Sequence, residues 1–188
     1  DDGTLEKLNE KSSRGGAACH VSVHPSGSCV AVANYSGGSC ASFPIRDDGS
    51  LGDTASFHQH VWSSVDTRRQ TAPHAHSINF SPDGKQAFVA DLGLDQILVY
   101  DIDASSGKMT PATPPFLKLP AGGGPRHFSF GPSGAFALTN LEMTSHAFPV
   151  RRTGPFDSTR REARPRKQYG GVPRASKRKN RIRFQPRS

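Results

Sequence analysis

Six side chains in this 188-residue sequence are candidates for acid–base and anion-binding chemistry: His20, His74, His76, Arg126, His127 and Glu142. A histidine titrates near neutral pH, so it can take a proton from water and give it back. An arginine stays charged and holds a carboxylate, a phosphate or a developing oxyanion through its planar fork. His74 and His76 stand two apart, a spacing that puts both on one face of an extended strand. His127 follows Arg126 directly in a second stretch of the same pattern. Two such stretches side by side would gather imidazoles around one guanidinium. Glu142, in Asn140-Leu-Glu-Met143, is a further candidate acid or base; a solvated turn carboxylate is the competing reading. For the histidines the competing reading is that they cap strand ends and bond neighbouring backbone.

Metal ligation is not expected. His58 and His60 have a ligand-like spacing but no third ligand or supporting partner nearby. Cys19, Cys29 and Cys40 lack CxxC spacing, and an odd count without a framework reads as free, partly buried thiols. Gly122-Gly-Gly124 ahead of Pro125 lacks the strand-then-helix context of a phosphate loop and is expected to be a flexible turn. The polar stretch from Phe57 to Gln70, which carries Trp62, reads as a long loop with a strand remnant. Asn34 and Asp91 end equivalent apolar runs and read as turn formers.

These residues are carried by repeats. His20-Val-Ser-Val-His-Pro25-Ser-Gly27, His76-Ser-Ile-Asn-Phe-Ser-Pro82-Asp-Gly84 and His127-Phe-Ser-Phe-Gly-Pro132-Ser-Gly134 align through one turn. Proline presets φ in that turn and glycine supplies the positive φ. Each turn leads into a second apolar run, Val30 to Asn34, Ala87 to Asp91 and Phe136 to Asn140. Third runs follow at Cys40 to Ile45, Ile97 to Ile102 and, in degraded form, His146 to Val150. Alternation within the runs predicts strands. The proline-to-proline offsets are 57 and 50 residues, near the period of four-stranded propeller blades. The fold class is therefore all-β, a β-propeller.

Nineteen glycines and fifteen prolines suit many short turns. Residues 1 to 15 are polar and charged throughout, and no apolar run reaches the ~20 residues of a membrane helix, so a cytoplasmic protein without a membrane partner is expected. Charge divides the chain. Residues 1 to 150 carry ten Lys/Arg against fourteen Asp/Glu, whereas residues 151 to 188 carry fourteen against two. That basic, Arg/Pro-rich tail has no period of two or 3.6 and too little apolar content to offset its ordering entropy, so it is expected to be disordered.

The residues His74-Ala-His76, Ser81-Pro-Asp-Gly84, Val89-Ala-Asp-Leu-Gly93 and Gly124-Pro-Arg-His127-Phe, with Val32-Ala-Asn-Tyr-Ser-Gly-Gly38, resemble the propeller-type lactonase family. The family includes the bacterial 6-phosphogluconolactonases and the fungal carboxymuconate-lactonising enzymes, and the similarity covers roughly residues 1 to 148. It implies a seven-bladed ring, of which about three blades fall within residues 1 to 150. It also implies an active site in the central channel, lined at the starts of innermost strands. By this resemblance the function is hydrolysis of a lactone, 6-phosphogluconolactone to 6-phosphogluconate, with His76, His127 and Glu142 as catalytic candidates. Arg126, His74 and His20 are then the substrate-binding candidates. No metal or organic cofactor is implied, and the expected partner is a small sugar lactone. A muconate-type lactonising enzyme and a non-catalytic binding scaffold are the alternatives, since fold alone does not determine function.

The tail has a second reading. Read one nucleotide out of frame, the codons from Gln168 onward admit the string Asn-Thr-Ala-Glu-Phe-Arg-Val-His-Pro-Asn-Gly-Lys-Thr-Val-Tyr-Val-Ser-Asn-Arg-Gly, which repeats the pattern of His24 to Gly27. A frame slip between about Thr144 and Arg161 would make the tail a mistranslated next blade. If the tail is genuine, its clustered Lys and Arg suit phosphate contacts, although no nucleic-acid or obligate protein partner is expected. Three blades leave sheet edges open, so the chain as written is expected to be inactive and marginally folded.

Overall fold

The structure is a computed structural model and describes residues 3 to 151. The readings made on the tail from residue 152 onward lie outside the described residues.

All regular elements among the described residues are strands. The first sheet contains β1 (Ala18–Val23), β2 (Cys29–Asn34), β3 (Ser39–Pro44) and β4 (Ser56–Gln59), hydrogen-bonded in that order. The second contains β5 (Ala75–Phe80), β6 (Gln86–Asp91), β7 (Gln96–Asp103) and β8 (Lys108–Lys118), again in sequence order. The third contains β9 (Pro125–Phe130), β10 (Phe136–Leu141) and β11 (His146–Arg151). Every neighbouring pair is antiparallel, as expected for consecutive strands joined by short turns. The repeat is also a repeat of geometry. Gly27, Gly84 and Gly134 all have φ near +70° (76, 69 and 71), and their N–H groups bond His24, Ser81 and Gly131 carbonyls at 2.8, 2.8 and 2.9 Å. The fourth strand of the second sheet, β8, contains Pro111, Pro114 and Pro115, which cannot donate to a ladder and so suit an edge.

Sheet packs on sheet through the alternation the sequence displays. Along β6, Ala87 and Val89 join Cys29, Ala31, Ala33 and Cys40 of the first sheet in one core. Phe88 and Ala90, one residue out of phase, join Phe128, Ala137 and Leu141 of the third. The middle sheet is therefore buried on both faces, which is why β6 reads as an unbroken apolar run. Small residues on β2 let the first two sheets approach closely around Ile78, which is fully buried.

The loop joining the first two sheets rests against Gly93 with no room for a side chain. A Cβ there would lie 1.9 Å from the Ala72 carbonyl oxygen and 3.0 Å from the His74 nitrogen, both backbone. Gly93→Ala should therefore destabilise by about 2 kcal/mol through displaced backbone, read as a lower urea midpoint at unchanged slope.

Candidate active site

The first strand of each sheet carries a bulge near its start, and candidate site residues lie in or beside the bulges. Cys19 is the extra residue between the pairs Ala18/Asn34 and His20/Ala33, and His76 the one between Ala75/Asp91 and Ser77/Ala90. On β9, Arg126 and His127 together stand between Pro125/Leu141 and Phe128/Thr139. A bulge bends the strand and takes a side chain out of plain alternation. His74 lies just outside β5, yet its ring and that of His76 meet the same partner. Tyr35 stacks on His74 at 4.7 Å between centroids and meets His76 edge-on at 5.2 Å.

Arg126 is the hub. Its Nε donates to His76 Nε2 at 3.0 Å and lies 3.2 Å from Glu142 Oε2. A guanidinium N–H only donates, so His76 Nε2 is the lone-pair nitrogen and the ring is neutral with its proton on Nδ1. Burial pushes His76 below the ordinary histidine value, and the charges of Arg126 and His127 act in the same direction. Glu142 is held below the usual carboxylate range, chiefly by the hydrogen bond from Arg69, with burial opposing and the charge of Arg126 adding to the lowering. The ring of His127 stands edge-on to His76 at 5.5 Å. Its backbone N–H is held by Asn140 Oδ1 at 2.9 Å.

The two remaining candidates each give one ring nitrogen to backbone. His74 Nδ1 lies 3.1 Å from the Tyr35 carbonyl, and His20 Nδ1 accepts the Ile78 N–H at 3.3 Å. Burial and the neighbouring His127 lower the His20 pKa. Four of the six candidates, His76, Arg126, His127 and Glu142, thus form one contact cluster, with His74 joined through Tyr35. His20 approaches from β1. His58 and His60 belong elsewhere: His58 Nε2 bonds the Met109 carbonyl at 3.1 Å, and both His60 nitrogens are engaged by Asp91 and Tyr100.

Sequence reasoning missed three supporting residues, Tyr35, Arg69 and Asp95, and read Asp91 only as a turn former. Tyr35 sits in a turn of small residues after β2, and its only signal is an aromatic at a strand end. Arg69 comes from the stretch read as a bland loop; its side chain reaches Glu142 Oε1 at 2.8 Å. Asp91 and Asp95 are fully buried carboxylates that organise backbone. Asp91 Oδ1 accepts the N–H groups of His74 and Gly93 at 2.7 and 3.0 Å. Asp95 accepts the N–H groups of Gly122 and Gly124, each at 2.7 Å, and the Ser64 hydroxyl at 2.5 Å. The triple-glycine turn expected to be flexible is therefore tied down, because a buried carboxylate must be satisfied and this turn supplies the donors. That turn delivers Pro125 and Arg126.

The sequence matches the family model described as Lactonase, 7-bladed beta-propeller, over residues 1–160. Among curated proteins it is 31% identical over 148 residues to a 6-phosphogluconolactonase of Bacillus subtilis, covering 79% of this chain and 41% of the relative. It is 29% identical over 143 residues to the 6-phosphogluconolactonase of Formosa agariphila, covering 76% and 40%. Among solved structures, a Bacteroides fragilis protein superposes with a TM-score of 0.77 at 35% identity, over 81% of this chain and 44% of that one. The periplasmic gluconolactonase PpgL of Pseudomonas aeruginosa superposes with a TM-score of 0.68 at 34% identity, over 74% and 39%. The chain spans about two fifths of the length of the curated relatives it matches.

Proposed function

Because this chain belongs to the lactonase family of seven-bladed β-propellers, we propose that its three sheets carry the catalytic part of a lactone hydrolase acting on 6-phosphogluconolactone. The observation that carries this reading is the shared contact of Arg126 Nε with His76 Nε2 and Glu142 Oε2. The substrate class follows from the two relatives named as 6-phosphogluconolactonases.

Arg126 turns its donors from His76 to the substrate, which frees the Nε2 lone pair. His76 takes a proton from water, and the resulting hydroxide adds to the lactone carbonyl carbon. The guanidinium of Arg126 holds the oxyanion that forms there. Collapse breaks the ring C–O bond, and the imidazolium returns its proton to the departing oxygen. One water is consumed, and one carboxyl and one hydroxyl are formed. Glu142 stays ionised and orients Arg126, His127 borders the attacking water, and His74 and His20 hold the polyol part of the ring. The three cysteines are unpaired, which fits a reducing compartment, so we place the reaction in the cytoplasm. Among the described residues no helix is long and apolar enough to cross a membrane.

Proton release from 6-phosphogluconolactone, measured above its spontaneous hydrolysis with these three sheets carried in a closed ring, tests the reading, because three sheets alone leave edges open. The base works in its neutral form, and burial lowers its pKa. Turnover should therefore appear as pH rises through a value below the ordinary histidine range, and that acid limb should disappear in His76→Gln. Absence of any acceleration over the spontaneous rate would sink the proposal.

A further inference from the structure

The loop between the first two sheets is built around a buried glutamine and presents Arg69 to the site. Gln70, fully buried, donates through Nε2 to the Leu92 carbonyl at 2.8 Å, and its own backbone accepts the Ser64 N–H at 3.0 Å. Asp66 Oδ1 accepts the N–H groups of Arg68 and Arg69 at 2.9 and 2.8 Å, and the Asp66 N–H reaches Gln70 Oε1 at 3.1 Å. Ser64 is in turn fastened to buried Asp95. These bonds close the segment into a compact turn on the body of the second sheet. From it the Arg69 guanidinium crosses to the turn after β10, meeting Glu142 Oε1 at 2.8 Å and passing 3.4 Å from the Tyr35 hydroxyl.

Glu142 is thereby held from both sides, one oxygen by Arg69 and the other by Arg126. The charged and titratable groups acting on it are Arg69 from the loop, Arg126 from β9 and His76 from β5. Without Arg69, the carboxylate would be free to swing onto Arg126 with both oxygens. It would then occupy the fork that a substrate oxygen needs.

We propose that Arg69 is a positioning residue of this site, anchoring one oxygen of Glu142 so that Arg126 stays available to His76 and to substrate. The inference rests on the lactonase reading for its catalytic consequence but not for its structural one. Arg69 lies on the surface at the end of a turn whose fold depends on Asp66, Gln70 and Ser64, so its removal leaves that turn intact.

The test compares the wild type with Arg69→Ala and Arg69→Lys by two readouts, with circular dichroism confirming that each variant folds. The first is the carboxyl titration of Glu142 followed by carbon NMR. The second is the pH profile of 6-phosphogluconolactone hydrolysis. In Arg69→Ala, Glu142 should titrate at higher pH, and kcat should fall by about tenfold or more with KM changed less. Arg69→Lys should recover the titration better than the rate, since a point charge replaces a planar fork. An unmoved Glu142 titration in Arg69→Ala overturns the proposal, and so does a moved titration with unchanged kcat. If the wild type hydrolyses no lactone, the proposed function fails on its own, and the titration alone then decides whether Arg69 anchors Glu142.

Discussion

Arg126→Ala is expected to lower kcat/KM for 6-phosphogluconolactone by about 10²–10³ while leaving the unfolding transition in place. The side chain is 42% exposed, and its strand is held by Phe128, Pro125 and the Asp95-bound turn rather than by the guanidinium. What the substitution removes is the donor that touches both His76 and Glu142. Arg126→Lys keeps the charge but loses the fork, and should recover only part of the rate. Steady-state kinetics beside a thermal melt check both points. Turnover that survives Arg126→Ala would take the hub out of the mechanism. A parent protein with neither binding nor turnover of the lactone would point instead to a propeller used as a binding scaffold.

Asp91→Ala should cost about 3–5 kcal/mol of folding stability, the largest loss expected of any single substitution outside the hydrophobic core. Asp91 is fully buried and accepts three donors: the backbone N–H groups of His74 and Gly93 and the Nδ1–H of His60 at 2.6 Å. Burial pushes the Tyr100 hydroxyl far above its usual value, so it remains a donor and points at His60 Nε2 across 3.2 Å. That donation sets the His60 tautomer and leaves its Nδ1–H for Asp91. Burial likewise pushes the neighbouring Cys40 thiol up to about 12, keeping it protonated. Alanine at position 91 would take the acceptor from three donors at once, two of them in buried hydrogen bonds, which is costly. Asp91→Asn keeps Oδ1 for the two backbone groups and turns an amide toward His60, so it should lose about 1–2 kcal/mol. Urea denaturation of the two variants separates the carboxylate's charge from its geometry. Equal, small losses would show that the network contributes little.

The parts of this protein that repeat were legible residue by residue. The Pro-x-Gly turns at Gly27, Gly84 and Gly134 announce hairpins because proline and glycine each have one strong backbone preference, and the runs beside them alternate with a period that only strands share. Those local rules located β1 to β3, β5 to β7 and β9 to β11 within a residue or two at most boundaries. The candidates His20, His76 and His127 were singled out for the same reason, since they sit at one place in the repeat, with Arg126 directly before the last of them.

What no local rule could supply is where partners from different sheets meet. Arg69 lies in a stretch without period, 73 residues from Glu142, and nothing about its neighbours shows that a buried Gln70 will aim it across the site. The bulges at Cys19, His76 and Arg126 are register shifts between strands, invisible until the strands pair. Asp95 gives no sign of its role until the Gly122 to Gly124 backbone folds onto it. Hydrophobic period and turn stereochemistry act over a few residues, so the strands, their order and the chemistry-bearing residues near the starts of β1, β5 and β9 can be read along the chain. Which side chains touch depends on surfaces that distant segments create together, because electrostatic pairing and the burial of carboxylates have no local signal.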